Sequence, residues 1–305
     1  MATTPLPVTR ARRTALVIGV PVAVALIAAC VPLWARGALQ LVARTDMVGY
    51  SVAFSAPVPD GQVRVTSSNG DLVFRTSAAA RRISVRGHLS SSLVRPTFSH
   101  PFTAAGLALD SNCPVPAGNC SVHFTVTAPA GLPVTLNDSF GNLTASHLPG
   151  PVTLSNTSGD ITTSDLGGRI ALYDQFGNIN ATRLDCSMRV INNSGDINVS
   201  GATGDTRLQD AFGNINVTGL AAASVVATNN SGDITLRFAT VPRQVSVTDS
   251  FGNVTLVLPA GSTAYQVQTH NSFGSTNVSV PRSPAATHVI KVRNNSGDIT
   301  IITQH

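Results

Sequence analysis

The sequence predicts an all-β protein, a single-stranded parallel β-solenoid (β-helix) of about 18–23-residue rungs, preceded by one N-terminal transmembrane helix. Three observations predict it. A glycine-centred phrase recurs nine times between Asp138 and Ile301, its period is nearly constant, and apolar and polar residues alternate around it. A fixed period of roughly 20 residues indicates a stacked repeat, and alternation with a spacing of two indicates β-strands.

The repeated phrase has two spellings, which alternate along most of the array. One is Asp-x-Phe-Gly-Asn, as at Asp138–Asn142, and the other is Asn-x-Ser-Gly-Asp, as at Asn156–Asp160. The steps between glycines are 18, 18, 18, 18, 19, 20, 22 and 23 residues, and the glycines are Gly141, Gly159, Gly177, Gly195, Gly213, Gly232, Gly252, Gly274 and Gly297. The alternation breaks at Asn271–Ser275, which predicts that the last two rungs are irregular.

Apolar residues recur two and four positions after each glycine and seven positions before it. In one rung these residues are Ile197, Val199 and Met188. A spacing of two places side chains on one side of a strand, so we expect them to point into the coil. Their stack over successive rungs is the predicted core.

Stacking also explains the two spellings. The column three positions before the glycine begins Asp138, Asn156, Asp174, Asn192, and the column one position after it begins Asn142, Asp160, Asn178, Asp196. In an all-Asp column, carboxylates of neighbouring rungs would lie about 5 Å apart and repel by roughly a few kcal/mol per step. Interleaved Asn removes that repulsion and can donate to the carboxylates on both sides, which predicts hydrogen-bonded Asx ladders. Phe and Ser alternate one position before the glycine, where a ring can lie over the smaller neighbour.

Metal binding and catalysis receive less support. Calcium-binding Gly-rich nonapeptide repeats have two glycine turns in about 18 residues, whereas this chain has one, so structural ladders are favoured over calcium sites. We predict no cofactor and no catalytic residue, because the histidines have no partners at recognisable spacing. They are His88, His100, His123, His147, His270, His288 and His305.

The N-terminus has the pattern of a membrane anchor. Arg10, Arg12 and Arg13 precede an uncharged apolar run, Thr14–Trp34, which is about as long as a helix that crosses a bilayer. Positive residues stay on the cytoplasmic side. The C-terminal part is therefore expected outside the cytoplasm, as the ectodomain of a single-pass protein of the cell membrane.

An alternative interpretation is a lipoprotein. Ile27–Cys30 resembles a bacterial lipobox, whose cysteine would be lipidated after cleavage. Both alternatives tether the protein to the outer side of a membrane.

The sequence predicts five segments. They are a cytoplasmic basic segment (1–13), a transmembrane anchor (14–35), a juxtamembrane stalk (36–49), an N-terminal β region with an irregular loop (50–137) and the regular solenoid repeats (138–305).

The cysteines suit an oxidising compartment. Cys113 and Cys120 close a segment of eight residues, which favours a disulfide. A metal pair is the alternative, but no second Cys or His pair lies nearby at ligand spacing. Cys186 is left over and is interpreted as a free thiol in a loop. The long loop is expected over 88–120.

The charge distribution argues against nucleic acid as a partner. Residues 1–137 carry eleven Arg against four Asp, whereas residues 138–305 carry eight Arg and one Lys against eleven Asp. The repeat array is therefore slightly acidic, and nucleic-acid binding requires a basic face.

The candidate binding face consists of residues three and five positions past the glycines. These residues alternate with the inward ones and should point outward, as two rows of hydroxyl and amide groups. A solvated strand face explains the rows without a ligand, and a flat platform for a glycan or an envelope protein is the functional interpretation. The candidates are Thr144, Thr162, Asn180, Asn198, Asn216 and Thr235, with Ser164, Thr182, Ser200 and Thr218.

A known family has a similar sequence. The strand and Pro-Ala-Gly turn of Cys120–Val134, followed by Ser-Gly-Asp-Ile and Phe-Gly-Asn-Ile rungs, resemble the bacterial putative-adhesin family over roughly residues 50–305. The resemblance implies a β-solenoid and brings no catalytic or ligand residues with it.

Together these features predict a membrane-anchored extracytoplasmic β-solenoid that acts as a non-enzymatic adhesion, envelope-interaction or structural module. The alternative is a β-helix enzyme acting on cell-wall or extracellular polysaccharide. Such an enzyme would combine carboxylates with cations in a groove, and the array offers Arg169, Arg183, Arg189, Arg207 and Arg237.

Overall fold

A computed structural model of the chain describes residues 48–58, 61–92, 95–113 and 120–304. Within these ranges the chain forms strands joined by turns and bends, with no α-helix. In the described part there is accordingly no helix long and apolar enough to span a membrane. The predicted anchor at 14–35, the alternative lipobox at Ile27–Cys30 and nearly all of the predicted stalk lie outside the described residues.

The strands of the described ranges differ in length but repeat regularly from β9 onward. In chain order they are β1 (Val48–Ala56), β2 (Val63–Ser67), β3 (Asp71–Ser77), β4 (Ile83–Ser91), β5 (Thr97–Ser99), β6 (Phe102–Thr103), β7 (Gly106–Asn112), β8 (Cys120–Pro129), β9 (Val134–Asp138), β10 (Leu143–Leu148), β11 (Val152–Ser158), β12 (Ile161–Leu166), β13 (Ile170–Phe176), β14 (Ile179–Asp185), β15 (Met188–Asn192), β16 (Ile197–Thr203), β17 (Thr206–Gln209), β18 (Ile215–Ala221), β19 (Ser224–Thr228), β20 (Ile234–Phe238), β21 (Gln244–Phe251), β22 (Val254–Leu258), β23 (Tyr265–Phe273), β24 (Thr276–Ser279), β25 (His288–Ser296) and β26 (Ile299–Thr303).

Each rung of the array contributes one strand to each of two sheets, and the glycine phrase forms the corner between them. Sheet A has the order β1-β4-β8-β3-β10-β12-β14-β16-β18-β20-β22-β26-β24. Sheet B has the order β23-β25-β21-β19-β17-β15-β13-β11-β9-β2-β7-β5. Neighbouring strands of the array pair in parallel. The predicted parallel β-solenoid is therefore confirmed, with two strands in each rung.

The core is the stack of inward residues that the spacing predicts. Ile197 pairs in register with Ile179 on one side and with Ile215 on the other, and all three are fully buried. Met188 is also buried on sheet B. In-register stacking continues the buried cluster from rung to rung, so burial of this column stabilises the fold.

The glycine column is where the rungs approach most closely. Gly195 has φ +111°, and a Cβ added there would lie 2.2 Å from the carbonyl oxygen of Gly177 in the neighbouring rung. Both the backbone conformation and the contact exclude other residues. The corner therefore fixes glycine at each repeat, which explains the motif's regularity.

The rungs do not stack in sequence order at the N-terminal end. β2 and β3 pair with β9 and β10 on one side and with β7 and β8 on the other. The prediction of a long loop over 88–120 is wrong, because this range contains β5, β6 and β7 and the end of β4.

The order also changes at the C-terminal end. β25 and β26, the last strands in sequence, lie between β21 and β22 on one side and β23 and β24 on the other. Phe251 is therefore in register with Ser296, and Ser296 with Phe273. The last two rungs thus depart from sequence order, and this insertion restores the Phe/Ser alternation that sequence order breaks.

Candidate functional site

The candidate binding face lies on sheet A, where its residues form in-register columns. Asn180, Asn198 and Asn216 are adjacent in one column. The Nδ2 of Asn198 donates to Oδ1 of Asn180 at 3.2 Å, and the Nδ2 of Asn216 donates to Oδ1 of Asn198 at 3.3 Å. The candidate side chains are half-buried or exposed and alternate with buried ones, as expected of an outward row.

The Thr and Ser candidates occupy the same two columns. Thr144 pairs with Thr162 and Thr162 with Asn180, while Asn216 pairs with Thr235; in the second column Ser164 pairs with Thr182, Thr182 with Ser200, and Ser200 with Thr218. The structure thus brings all ten candidates together as two continuous rows.

Beside these rows runs an Asx ladder formed by the residues one position after each glycine. The backbone N–H and the Nδ2 of Asn178 both donate to Oδ1 of Asp160, at 2.8 and 3.2 Å. The backbone N–H of Asp196 then donates to Oδ1 of Asn178 at 2.9 Å. The predicted ladder is confirmed in this column, with one difference: each Asn amide donates to one neighbouring carboxylate rather than to two.

The ladder continues through the reordered ends of the array. Asp71 accepts from Asn142 at one end. At the other end Asp298 accepts from the backbone N–H and the hydroxyl of Ser275, and these bonds lower the pKa of Asp298. The two out-of-sequence rungs therefore extend the ladder without interruption.

The column three positions before the glycine behaves differently from the predicted ladder. Here Asn192 donates from Nδ2 to the carbonyl oxygens of Gly177 and Gly195, at 2.9 and 2.8 Å. Asn amides of this column thus tie two glycine corners together instead of pairing with Asp. Among buried side-chain atoms without a hydrogen-bond partner are Oδ2 of Asp138, Asp174, Asp210 and Asp249, and Oδ1 of Asn156, Asn192 and Asn294.

Burial changes the protonation of this inner column. Desolvation raises the pKa of Asp174 to about 7, and the pKa of Asp210 to about 6, against an ordinary value of 3.8. At Asp210 the backbone N–H of Ala211 donates to Oδ1 and opposes the shift without cancelling it. The unpaired buried atoms of this column are Asp and Asn side-chain oxygens, which are acceptors. A protonated Asp carboxyl adds a hydrogen-bond donor to the column.

A second feature of the array is an ionic cluster at the far corner of sheet A. His147, Asp165 and Arg183 occupy equivalent positions in three successive rungs, with φ of 58°, 56° and 52°. The Nη2 of Arg183 donates to Oδ2 of Asp165 at 2.8 Å, and the Nε2 of His147 lies 3.6 Å from the same oxygen. The Arg183 hydrogen bond lowers the pKa of Asp165. The cluster is largely exposed, so its contribution to stability is small.

The arginines considered for an enzyme are divided between the two sheets. Arg189 and Arg207 are neighbours on sheet B, over a shallow hollow of about 340 Å³ that Asp205 also lines. Arg183 and Arg237 belong to strands of sheet A. Among the described residues, no group of three or more His, Cys, Asp or Glu side chains could hold a metal ion.

The cysteines occupy the predicted places. A disulfide joins Cys113 to Cys120, with their Cα atoms 6.2 Å apart. Cys186 is a free, partly buried cysteine whose thiol contacts the carbonyl oxygen of Gly168. Burial raises the pKa of the Cys186 thiol, which makes it less reactive.

A row of exposed phenylalanines was not predicted, because the alternation of Phe and Ser was interpreted as steric packing between neighbouring rungs. Five phenylalanines at the corner project into solvent, in every second rung. Their exposed fractions are 58% for Phe140, 57% for Phe176, 58% for Phe212, 56% for Phe251 and 72% for Phe273. We call them the phenylalanine row. The alternating spelling was the available signal, but it did not reveal that the rings stay exposed.

The fold and these columns define the protein as a repeat scaffold, a β-solenoid with uniform rows on its surface. The chain belongs to the Toastrack DUF4097 family, which matches residues 133–302. The resemblance to an adhesin-type β-solenoid family that the repeats indicated is confirmed.

Solved structures that match the chain cover most of it at low identity. A putative cell adhesion protein from Clostridium sporogenes is 11% identical, covers 84% of this chain and 100% of its own, and has a TM-score of 0.26. A putative adhesin from Bacteroides fragilis is 14% identical over 85% and 97%, with a TM-score of 0.38. A putative adhesin from Parabacteroides distasonis is 8% identical over 86% and 98%, with a TM-score of 0.32. No curated protein shows significant sequence similarity to the chain.

Proposed function

We propose that the chain is a non-enzymatic adhesion or envelope-interaction module, held at the outer side of a membrane by its N-terminal segment. The observation that carries the proposal is the pair of continuous outward rows on sheet A. They offer the same hydroxyl and amide groups on successive rungs, about 4.8 Å apart, which suits many weak hydrogen bonds to an extended partner.

The positions of the corner Asp residues favour binding over catalysis. A glycan-cleaving site needs a proton donor and a second carboxylate close to the same bond. On this solenoid the Asp residues of the inner column are buried, and those of the outer ladder accept hydrogen bonds from the next rung. Carboxylates committed in this way stabilise the stack rather than face a substrate.

Tethering rests on the sequence. Arg10, Arg12 and Arg13 before the apolar run Thr14–Trp34 would hold the amino terminus in the cytoplasm, and a disulfide at Cys113 suits the oxidising side. Protease added to intact spheroplasts should then digest the solenoid while a cytoplasmic marker survives. Protection of both would contradict the topology.

The binding test changes three adjacent residues of the outward row. Replacing Asn180, Asn198 and Asn216 with Lys should leave the fold intact, because outward polar residues contribute little to stability. The long cationic side chains prevent close approach of a flat partner, so retention of the full-length protein on isolated envelopes should be lost.

A matched control lies on the opposite sheet. Gln209, Thr228 and Thr248 are exposed and adjacent in one column of sheet B, and Lys at these positions adds the same charge. The control should bind as wild type does. Equal retention of all three proteins would remove the sheet A rows from consideration, and glycan cleavage by wild type would establish the enzyme alternative.

A further inference from the structure

The phenylalanine row is a feature of the folded stack rather than of the sequence order. Phe212 pairs with Ser194 on one side and with Ser231 on the other, and Ser296 separates Phe251 from Phe273. Rings therefore stand at every second rung along the whole array. Since rungs are about 4.8 Å apart, the rings repeat at about 10 Å.

Packing does not account for these side chains. Serine occupies the same position in the alternate rungs, so the backbone does not require a ring there. Each ring also remains more than half exposed, at 56% or more. Five large apolar side chains exposed in a line are unusual and mark a contact site.

The corner phrases that hold the row carry no positive charge. The nine corner phrases contain no Lys and no Arg, and the residue before each ring is Ser139, Gln175, Ala211, Ser250 or Ser272. A polyanion such as a nucleic acid or an anionic lipid surface requires cations. A neutral ligand with many hydroxyl groups matches the amide and hydroxyl groups that flank the rings.

We propose that the phenylalanine row binds a linear β-1,4-linked polysaccharide, with sugar rings stacked on the phenyl faces of alternate rungs. In the extended form of such a glycan the disaccharide repeat is close to the two-rung spacing, so every second sugar meets a ring in the same orientation. The C–H face of a pyranose carries the partial positive charge that the face of an aromatic ring attracts.

The shape of the site agrees with a polymer. Nine rungs from Phe140 to Phe273 span about 40 Å, so several disaccharides can be bound at once by one row. Each stacking contact is weak, and the affinity comes from their number. This inference goes beyond the outward rows of the proposed function, because it uses the corner residues and names the ligand class.

The test uses the full-length protein and insoluble polymers. Wild type should sediment with chitin or cellulose, which are β-1,4-linked, and not with starch, whose α-1,4 links give a coiled chain. Replacing Phe176, Phe212 and Phe251 with Ser should lower the bound fraction at least about tenfold. Because Ser is native to alternate rungs, this variant should keep the wild-type melting temperature.

Two further substitutions at Phe176, Phe212 and Phe251 separate stacking from general apolar contact. Tyr at these positions keeps the aromatic face and should retain binding, whereas Leu keeps apolar area without the face and should lose it. Equal binding by the Leu variant, or no binding of wild type to either β-1,4 polymer, overturns the proposal.

Self-association is the main alternative outcome. If sedimentation velocity shows a wild-type dimer that the Ser variant converts to monomer, while glycan retention is unchanged, then the row pairs with a second copy and the proposal is wrong. A further variant separates the outward rows from the phenylalanine row. When Asn180, Asn198 and Asn216 are replaced with Lys, loss of envelope retention with intact chitin binding supports the two sites independently.

Discussion

Asp298 donates its backbone N–H to the Oδ1 of Asn253, 45 residues earlier, at 2.9 Å. The next glycine phrase in sequence after Asn253 ends at Ser275, which instead donates to Asp298. The final strands are therefore inserted before the preceding rung. Placing an Asp between Asn253 and Ser275 gives both the backbone N–H and the hydroxyl of Ser275 a carboxylate acceptor.

This order can be tested by cross-linking. Thr255 and Thr300 are in-register neighbours, and Asn277 lies one rung further. Neighbouring strands are about 4.8 Å apart and a disulfide tolerates Cα separations of roughly 4.4–6.8 Å. In a Cys186→Ser background, oxidation should join Cys introduced at 255 and 300 but not at 255 and 277. Peptide mass spectrometry reads the result, and the reverse pattern would establish sequential stacking.

The buried Asp column predicts a pH dependence of stability. The pKa of Asp174 is about 7 in the folded chain against an ordinary 3.8, so the folded state holds more protons between these values. Stability is then greatest below about pH 4 and falls as pH rises towards about 7. Asp174→Asn should raise the free energy of unfolding at pH 8 by on the order of 2 kcal/mol and flatten the profile.

The contrasting variant for this prediction is Asp165→Asn. Arg183 lowers the pKa of Asp165, so its contribution is present above about pH 4 and is lost only below that pH. The difference between Asp165→Asn and wild type should therefore be similar at pH 4 and pH 8. Chemical denaturation at pH 4 and pH 8 measures both variants. An Asp174→Asn protein that is less stable than wild type at pH 8 would show that the carboxylate is solvated or paired there.

Close approach of the glycine corners predicts a large penalty for Gly195→Ala. The added Cβ would lie 2.2 Å from the carbonyl oxygen of Gly177, so the rungs must separate at that corner, at a cost of about 3 kcal/mol or more. Gly131 also has positive φ but has open space around it, and Gly131→Ala should cost only about 1 kcal/mol. Equal losses in thermal unfolding would assign the whole effect to φ.

Inward and outward positions should respond differently to the same charge. Ile197 is fully buried, and Ile197→Asp places a carboxyl in the apolar stack at a cost of about 4 kcal/mol or more. Asn198 is the next residue and lies on the outer row, so Asn198→Asp should cost less than about 1 kcal/mol. Similar melting temperatures for the two variants would contradict the assignment of the faces.

Much of the candidate site could be predicted from the sequence, because its residues lie at fixed sequence distances from the corner glycine. The positive φ and close contacts at that corner exclude other residues. The ten candidates of the outward rows, from Thr144 to Thr235, fall in the two predicted columns. What they bind stays a prediction. The phenylalanine row was not identified as a site, since alternation with Ser is explained equally well by rings packed against their neighbours.

The two Asp and Asn columns have different environments that the sequence did not predict. Asp160 and Asp174 belong to the same alternating pattern, and the sequence treats their columns alike. In the fold, Asp160 accepts hydrogen bonds from Asn178, whereas Asp174 is buried and has a raised pKa. The difference arises from the corner itself, which turns one column towards the interior and leaves the other near solvent.

The sequence by itself determined the rung length, the parallel stack and the inward residues, because these depend on local spacing between positions such as Gly195 and Ile197. Only the tertiary structure decided the order of the rungs at both ends. That order depends on which exposed strand edge best satisfies the hydrogen bonds of an arriving strand. β26 lies between β22 and β24 instead of beyond β24. Local spacing does not encode this position, because it depends on strands that are distant in sequence.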